Sequence, residues 1–337
     1  MRLDYTSKIY WFLQMKIDVI LPVYKGELWV GEAIDSVLAQ TYANWHLTVV
    51  DDACPGDTVQ QVKAFCSTYP DRITLIRLER NRMAAGARME AIRQTSGDVI
   101  TFLDQDDRWY PQKLEKQVER FQAQPVVQAV HTDVVHIDPD GNLIIDSADK
   151  ENAKRDSIPY DRLSNEELCK SLFLDNSIRL VSLAILREAF ESVGGFNETL
   201  FGGEDWEFWV RFSNRWRIGH LSEPLVERRI HAANVSTYFR GPRSSGLLTA
   251  LGLVEEAYPY LASLANKRWA YLLPRMVITE LENRDYVKAR QYAWSLVRLR
   301  PLDIRALGFF GIACTGSYGH LILNIYRRLK TIGQKAR

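Results

Sequence analysis

Short apolar runs alternate with amphipathic stretches from residue 16 onward, and this pattern predicts strands alternating with helices. The runs KIDVILPVY, HLTVVDD, RITLIRL and DVITFLD each have the length and composition of a strand. Helical spacing of apolar residues is clearest after the first run, at Leu28, Val30, Ala33, Ile34, Val37 and Leu38. Repeated strand–helix units cross over with the right hand, so the pattern predicts an α/β fold whose mostly parallel central sheet is flanked by helices.

Unusual polar residues follow each of the four predicted strands. PVY ends the first, DDAC the second, ERNRMAAGAR the third and DQDD the fourth. Open parallel sheets bind ligands outside the carboxyl ends of their strands. The sequence therefore predicts one ligand site built from these four segments.

The pattern changes after residue 126 and again after residue 240. VVQAVHTDVVHIDPDGNLII predicts two strands joined by a turn at Asp140 and Gly141, and residues 145–165 are polar and predict a loop. The chain beyond residue 240 has helical character throughout. We therefore expect an N-terminal extension at 1–14, an α/β domain at 15–240 and a C-terminal helical region at 241–337.

Charge and cysteine usage limit the classes of partner and compartment. The formal net charge of +1 gives no electrostatic footprint for nucleic acid, so we expect no such partner. The four cysteines form no CxxC pair, which favours free thiols in a reducing compartment over a disulfide framework or a structural zinc. The first 14 residues include Asp4 and Lys8 and do not resemble a secretory signal, so we expect a cytoplasmic protein.

A segment near the C-terminus, Ala306–Tyr326, contains no charged residue, and five basic residues without an acidic one follow it. Four glycines, His320 and Asn324 disfavour a membrane-spanning helix. Two interpretations stay open. Residues 306–337 form either a core helix pair with a solvated tail or a peripheral contact with the cytoplasmic face of a membrane.

Three carboxylates follow the fourth predicted strand directly, at Asp104, Asp106 and Asp107. Carboxylates this close raise one another's pKa unless a cation or a hydrogen-bond donor shares them. Mg²⁺ and Mn²⁺ prefer such oxygen ligands together with phosphate. Asp107 could instead cap the helix that follows Pro111, but a cap accounts for one carboxylate only.

Four motifs occur in the order and spacing typical of family 2 glycosyltransferases: PVYKG, AIDSVLAQTYANWHLTVVDDACPGDT, GDVITFLDQDDRWYPQKLEKQ and FGGEDWEFWVR. The chain resembles this family over residues 15–240. Members are inverting enzymes of the GT-A fold that use nucleotide sugars. The resemblance implies that a sugar, most readily from a UDP-sugar, is transferred to a hydroxyl of a glycan or lipid-linked acceptor with Mn²⁺ or Mg²⁺.

The resemblance also implies roles for individual residues. Asp107 resembles the metal ligand, with Asp106 beside it, and Asp104 and Asp106 resemble residues that contact the ribose. Asp52 matches the residue that binds the base, and its acceptor-only carboxylate suits the N–H edge of uracil or thymine. The nucleotide-binding set is Pro22, Val23, Tyr24, Asp52, Arg88, Asp104 and Asp106.

The chain departs from the family pattern near the base site. Ala53–Cys54 replace the usual small pair, Met83 replaces a usual glycine and Met89 a usual asparagine. Arg88 keeps its place in the motif, where it contacts base or phosphate. A surface helix arginine is the alternative for Arg88.

The GGED motif resembles the segment that carries the catalytic base. Asp205 matches the carboxylate that takes the proton of the acceptor hydroxyl, and Glu204 supports it. Trp206 could stack on an acceptor ring or pack in the core, whereas Trp209 is expected in the core. In RRIHAANVS, Arg229 and His231 are weaker candidates for contact with the diphosphate.

Three other classes of protein are alternatives to a family 2 glycosyltransferase. The acidic segment mimics an aspartyl phosphatase, but Arg108 stands where that class needs Thr or Val. A nucleotidyltransferase would need a basic glycine-rich N-terminal loop, which is missing. A catalytically inactive nucleotide-binding or scaffold protein remains the alternative, although both DQDD and GGED are retained.

Overall fold

The computed structural model describes residues 15–144, 158–160, 162–231, 234 and 242–318. Its first half has the predicted alternation of strands and helices, and the α/β fold is confirmed. The elements are β1 (Ile17–Val23), α1 (Val30–Leu38), β2 (Trp45–Asp51), α2 (Thr58–Thr68), β3 (Ile73–Arg77), α3 (Met83–Arg93), β4 (Val99–Phe102), β5 (Arg108–Trp109) and α4 (Lys113–Ala123).

The second half of this unit completes the sheet. Its elements are β6 (Val127–Ile137), α5 (Asn165–Leu174), β7 (Ala184–Leu186), α6 (Arg187–Ser192), α7 (Glu204–Arg215) and β8 (Arg217–Arg229). The eight strands have the order β3-β2-β1-β4-β7-β6-β8-β5. The first four are parallel, so their carboxyl ends lie at one edge, whereas β7 is antiparallel to both β4 and β6.

The prediction of two strands within residues 126–145 is wrong in part. Of the described residues in this range, β6 alone forms a strand, and after the turn at Asp140 and Gly141 one antiparallel bridge joins Ile137 to Leu143. The long partner of β6 is β8, which pairs with it in parallel. Because β8 comes from 80 residues further along the chain, no local pattern indicated the pairing. Most of the polar segment 145–165 lies outside the described residues.

Apolar side chains cover both faces of the sheet, which is why its central strands are continuous hydrophobic runs. One face packs against α1 and α4 through Val30, Ile34, Leu114 and Val118. The other packs against α3, α5 and α7. Lys113 fastens α4 to the sheet, since its buried Nζ donates to Thr101 Oγ1, Gln117 Oε1 and the Leu183 carbonyl, and burial lowers its pKa.

The chain forms two compact units, one of residues up to 199 plus 204–233 and one of residues 200–203 plus 234–337. The second unit contains α8 (Pro242–Ala257), α9 (Ala262–Glu282), α10 (Tyr286–Leu299) and α11 (Ile304–Cys314). Its own core joins α9, α10 and α11. No helix of the described part of the chain is long and apolar enough to cross a membrane. Residues 319–337 of the predicted tail lie outside that part.

Candidate active site

The acidic turn after β4 holds its three carboxylates at different depths. Asp107 is buried, and its Oδ1 accepts a hydrogen bond of 2.8 Å from the backbone N–H of Arg229. Burial, with the charges of Asp106 and Asp104, raises the pKa of Asp107 well above its ordinary value. The side chain of Asp104 is 41% exposed and that of Asp106 is 21% exposed.

Asp107, the predicted metal ligand, is the most enclosed of the three carboxylates, and its metal role stays a prediction. Its carboxylate is closed off from solvent and ties the turn to the end of β8 through Arg229 N–H. The spacing of the motif could not reveal this, because β8 supplies the donor from far along the chain. Asp104 and Asp106 are the more exposed carboxylates of this turn.

Each of these two accessible carboxylates has a cationic or titratable neighbour. Arg88 donates from Nη2 to Asp104 Oδ1 at 2.7 Å, and its side chain is buried, so it is not a free surface arginine. His231 Nε2 lies 2.9 Å from Asp106 Oδ2, and its ring stands 4.5 Å from that of Trp29. Burial and the Asp104 charge raise the pKa of Asp106, against the effect of His231.

The Arg229 side chain makes several hydrogen bonds to protein groups around the acidic turn. It is buried, and Nε donates to the Asp106 carbonyl at 3.0 Å. Nη1 donates to the Pro139 carbonyl at 2.8 Å, and Nη2 to Glu32 Oε2 at 2.8 Å. With its donors turned to the protein, Arg229 braces the acidic turn. The predicted contact of Arg229 with a diphosphate stays a prediction.

The predicted base site lies at the end of β2. Asp52 is buried, which raises its pKa, and its Oδ1 accepts the N–H of Arg82 at 2.6 Å. The Asp52 N–H donates to the carbonyl of Val23 at 3.0 Å, and the Val23 side chain is in the core. Val23 therefore supports Asp52 through its carbonyl, and its predicted contact with a nucleotide stays a prediction.

Gln105 holds the loop after β1 and was missed by sequence reasoning. Its amide accepts from the N–H of Tyr24 at 2.8 Å and donates to the Tyr24 carbonyl at 3.0 Å. A Cβ on Gly26 would lie 2.4 Å from Gln105 Oε1, so a larger residue there would require the Gln105 side chain to shift. These two hydrogen bonds hold the backbone of Tyr24 beside the acidic turn, where its ring is exposed and Pro22 before it is half-buried. The only signal in the sequence was the position of Gln105 between two motif carboxylates.

Asp205 lies in the first turn of α7, where negative charge suits the helix dipole. Its Oδ1 accepts the N–H of Trp206 at 2.7 Å, and its Oδ2 accepts from Asn176 Nδ2 at 2.8 Å. Asn176 was not predicted, because nothing in the local sequence marks it. Glu204 begins α7 and is half-buried.

Trp206 belongs to the core, which settles the choice between its two predicted roles. It is buried, and its indole N–H donates to the carbonyls of Leu172 and Phe173 at 3.0 and 3.1 Å. Trp209 is also buried, as expected. Gly202 and Gly203 have φ values of 96° and 81°, which non-glycine residues rarely adopt.

The fold and this site define a class of protein, the glycosyltransferases of the GT-A type. The sequence profile described as "Glycosyl transferase family 2" matches residues 18–190. The chain belongs to glycosyl transferase family 2. It is similar to an uncharacterized glycosyltransferase from Rickettsia prowazekii, with 32% identity over 222 residues that cover 65% of each chain.

A second relative has a more specific name. The Escherichia coli protein WfgD, a UDP-Glc:alpha-D-GlcNAc-diphosphoundecaprenol beta-1,3-glucosyltransferase, is 43% identical over 102 residues, which cover 30% of this chain and 39% of WfgD. The chain thus aligns with 65% or less of the length of these relatives.

Solved structures share the fold. Staphylococcus aureus TarS 1-349 in complex with UDP-GlcNAc has a TM-score of 0.60 at 16% identity, covering 93% of this chain and 92% of that one. The mannosyltransferase PcManGT from Pyrobaculum calidifontis, in complex with GDP-Man and Mn²⁺, has a TM-score of 0.56 at 17% identity, covering 93% and 88%.

Proposed function

We propose that the protein transfers a sugar from a nucleotide-diphosphate sugar, with UDP favoured, to a hydroxyl of a glycan or lipid-linked acceptor, with inversion at the anomeric carbon. The observation that carries the proposal is the acidic turn after β4. Asp104 and Asp106 remain accessible there, while Arg88, Arg229 and His231 hold the turn in place.

The nucleotide is proposed to lie across the carboxyl ends of β1, β2 and β4. One carboxylate oxygen of Asp52 accepts a hydrogen bond from the Arg82 N–H. This bond would orient the carboxylate toward the imide N–H of uracil. The ring of Tyr24 is exposed, and Gln105 holds its backbone, so the ring is available to stack on the base. The names of WfgD and of the TarS complex support UDP as the carrier.

The residues present fit a divalent cation. No three His, Cys, Asp or Glu side chains converge on one point among the described residues, so the protein would supply only part of a coordination shell. Mg²⁺ is commonly held by one or two carboxylates with phosphate and water completing the shell. Asp106, with the predicted ligand Asp107 and the exposed carboxylate of Asp104 beside it, would hold the ion, whose charge would neutralise that of the diphosphate.

Asp205 is proposed as the general base. Its carboxylate would accept the proton of the acceptor hydroxyl as that oxygen attacks the anomeric carbon and the bond to the diphosphate breaks. Asn176 and the N–H of Trp206 fix the orientation of the carboxylate. Glu204, its neighbour at the start of α7, is assigned a supporting role. WfgD acts on a diphosphoundecaprenol acceptor by its name, which supports a lipid-linked acceptor here.

Thermal unfolding tests the donor site directly. UDP with Mn²⁺ should raise Tm more than GDP or dTDP with Mn²⁺, because a ligand that binds only the folded state stabilises it. Asp106→Asn should keep the Tm of the free protein and lose the Mn²⁺-dependent part of the rise. Asp71→Asn, which removes an exposed carboxylate in the turn before β3, is the matched control and should behave as wild type.

A donor-hydrolysis assay separates this function from the inactive binding module. An enzyme slowly hydrolyses its donor sugar when Mn²⁺ is present, and a module that only binds nucleotide does not. Full Mn²⁺-dependent stabilisation of Asp106→Asn by UDP would remove the metal assignment. UDP binding without any hydrolysis or transfer would favour the module.

A further inference from the structure

The connection between α10 and α11 carries large aliphatic side chains in water. We call Leu302, Ile304 and Leu307 the apolar corner; their exposed fractions are 94%, 84% and 49%. Pro301 and Asp303 complete the connection, and Asp303 caps α11 by accepting the N–H of Arg305 at 2.8 Å. A folded cap shows that the corner is a defined surface and not a frayed end.

Helix α11 is apolar on two faces. Ala306 and Ala313 are buried against α9 and α10. Ile304, Leu307, Gly308 and Gly311 are exposed at the spacing i, i+3, i+4 and i+7, which is one stripe of a helix. Arg305 is the only charged residue of the helix. A helix of an ordinary soluble surface would be polar on that stripe.

Basic residues surround the corner. Arg298 and Arg300 precede it, and Arg305 lies between Ile304 and Leu307. Residues 286–337 contain ten Lys and Arg against one acidic residue, although the whole chain has a net charge of +1. The charge is therefore concentrated in this part of the chain, while the rest is net acidic.

We propose that the apolar corner and the arginines beside it dock on an anionic phospholipid surface. Aliphatic side chains can enter the headgroup boundary while arginine stems lie along it with their guanidinium groups at the phosphates. Trp294 and Tyr318, both exposed on the same unit, are residue types enriched at this boundary. The positive charge selects an anionic surface over a neutral one.

Membrane docking is a function separate from donor binding, and it would bring the enzyme to acceptors that reside in a membrane. Each basic residue near an anionic surface adds about 1 kcal/mol, or roughly fivefold in affinity, and this part of the attraction is screened by salt. The part of the attraction that comes from burial of the aliphatic side chains is not screened by salt. Docking should therefore depend on both the arginines and the apolar corner.

Vesicle co-sedimentation of the full chain tests the proposal. The protein should bind vesicles of phosphatidylcholine mixed equally with phosphatidylglycerol, and should not bind phosphatidylcholine alone. Leu302→Ser with Ile304→Ser should weaken binding at least about tenfold, because the two side chains contribute apolar burial. Val126→Ser, which changes an exposed aliphatic residue of the other unit, is the matched control and should bind as wild type.

A second variant checks the charge. Arg298→Gln, Arg300→Gln and Arg305→Gln together should weaken binding and flatten its salt dependence. Tm and its rise with UDP and Mn²⁺ should be unchanged in all variants, so a failure of the donor site would be seen separately. The proposal is overturned if anionic vesicles are not bound, or if the serine variant binds as wild type. It is also overturned if the wild type self-associates and the serine variant is a monomer, since the corner would then be an interface between copies.

Discussion

Asn176 and the N–H of Trp206 both donate to the carboxylate of Asp205. Donors to a carboxylate favour its charged form and fix its direction. A general base works best when its lone pair already faces the proton it will take. Asn176 is therefore a positioning residue whose loss should alter catalysis without altering the donor site.

Asn176→Asp replaces the donor by a second carboxylate of the same shape. The new carboxylate places a like charge beside the proposed base, so the acidic limb of the pH profile of kcat/KM should move to higher pH. Asn176→Ala should lower kcat and should shift the acidic limb of the pH profile less than Asn176→Asp does. Asn165→Asp, at the start of α5, is the control and should leave the profile unchanged. An unmoved limb in Asn176→Asp would show that the hydrogen bond is only structural.

Asp205→Asn tests the base itself. It keeps size and most hydrogen bonding but cannot accept the proton, so transfer should fall by roughly 10² to 10⁴. The rise in Tm with UDP and Mn²⁺ should stay the same, since Asp205 is not assigned to the diphosphate. Glu204→Gln should be the milder change. If Glu204→Gln is inactive and Asp205→Asn is not, the two roles are reversed.

At the scale of single elements, α3 begins in strained backbone. Met83, its first residue, has φ of 61°, and Asp52 accepts the N–H of the preceding Arg82. A non-glycine residue in this region costs about 1 to 2 kcal/mol. The glycine that the family usually has at this position avoids that cost.

Met83→Gly should raise the free energy of unfolding by about 0.5 to 1 kcal/mol. The substitution relieves the backbone strain, but part of that gain is lost because glycine gives the unfolded chain more conformational freedom. Ala84→Gly, one residue further in the same helix, should lower it by about 1 kcal/mol. Urea unfolding of both variants gives the comparison. A loss of stability in Met83→Gly would mean that contacts of the methionine side chain outweigh the strain.

The spacing of apolar residues was sufficient to predict the strands and helices of the first half, because each of these elements has its own periodic pattern in the sequence. It failed where the partner is distant, as for the pairing of β6 with β8. The same limit applied to the site. The motif located Asp107, but only the incoming N–H of Arg229 shows that its carboxylate faces inward. Gln105 and Asn176 were missed because a single amide has no periodic signal.

At the scale of the whole molecule, the two glycines before α7 belong to the second unit. A Cβ on Gly203 would lie 2.7 Å from a methyl group of Leu247, and a Cβ on Gly246 would lie 2.2 Å from the carbonyl oxygen of Phe201. Residues 200–203 are therefore packed tightly on α8. The chain continues from them directly into Glu204 and Asp205.

Gly246→Ala should displace residues 200–203 and lower transfer between about tenfold and a hundredfold, since small misplacements of a catalytic group are costly. Stabilisation by UDP and Mn²⁺ should be retained. Gly252→Ala is the matched control on the same helix, where a Cβ meets nothing within 4 Å. It should leave transfer unchanged and raise stability by up to about 1 kcal/mol. Equal transfer rates of the two variants would show that α8 does not position the base.

The assignment of residues 200–203 to the second unit matters for protein engineering. A chimera that exchanged C-terminal units between family members by one crossover near residue 234 would combine a GGED loop from one parent with an α8 from the other. The close contacts at Gly203 and Gly246 leave no room for such a mismatch. Recombination should therefore graft residues 200–203 together with the C-terminal helices, as a two-segment module.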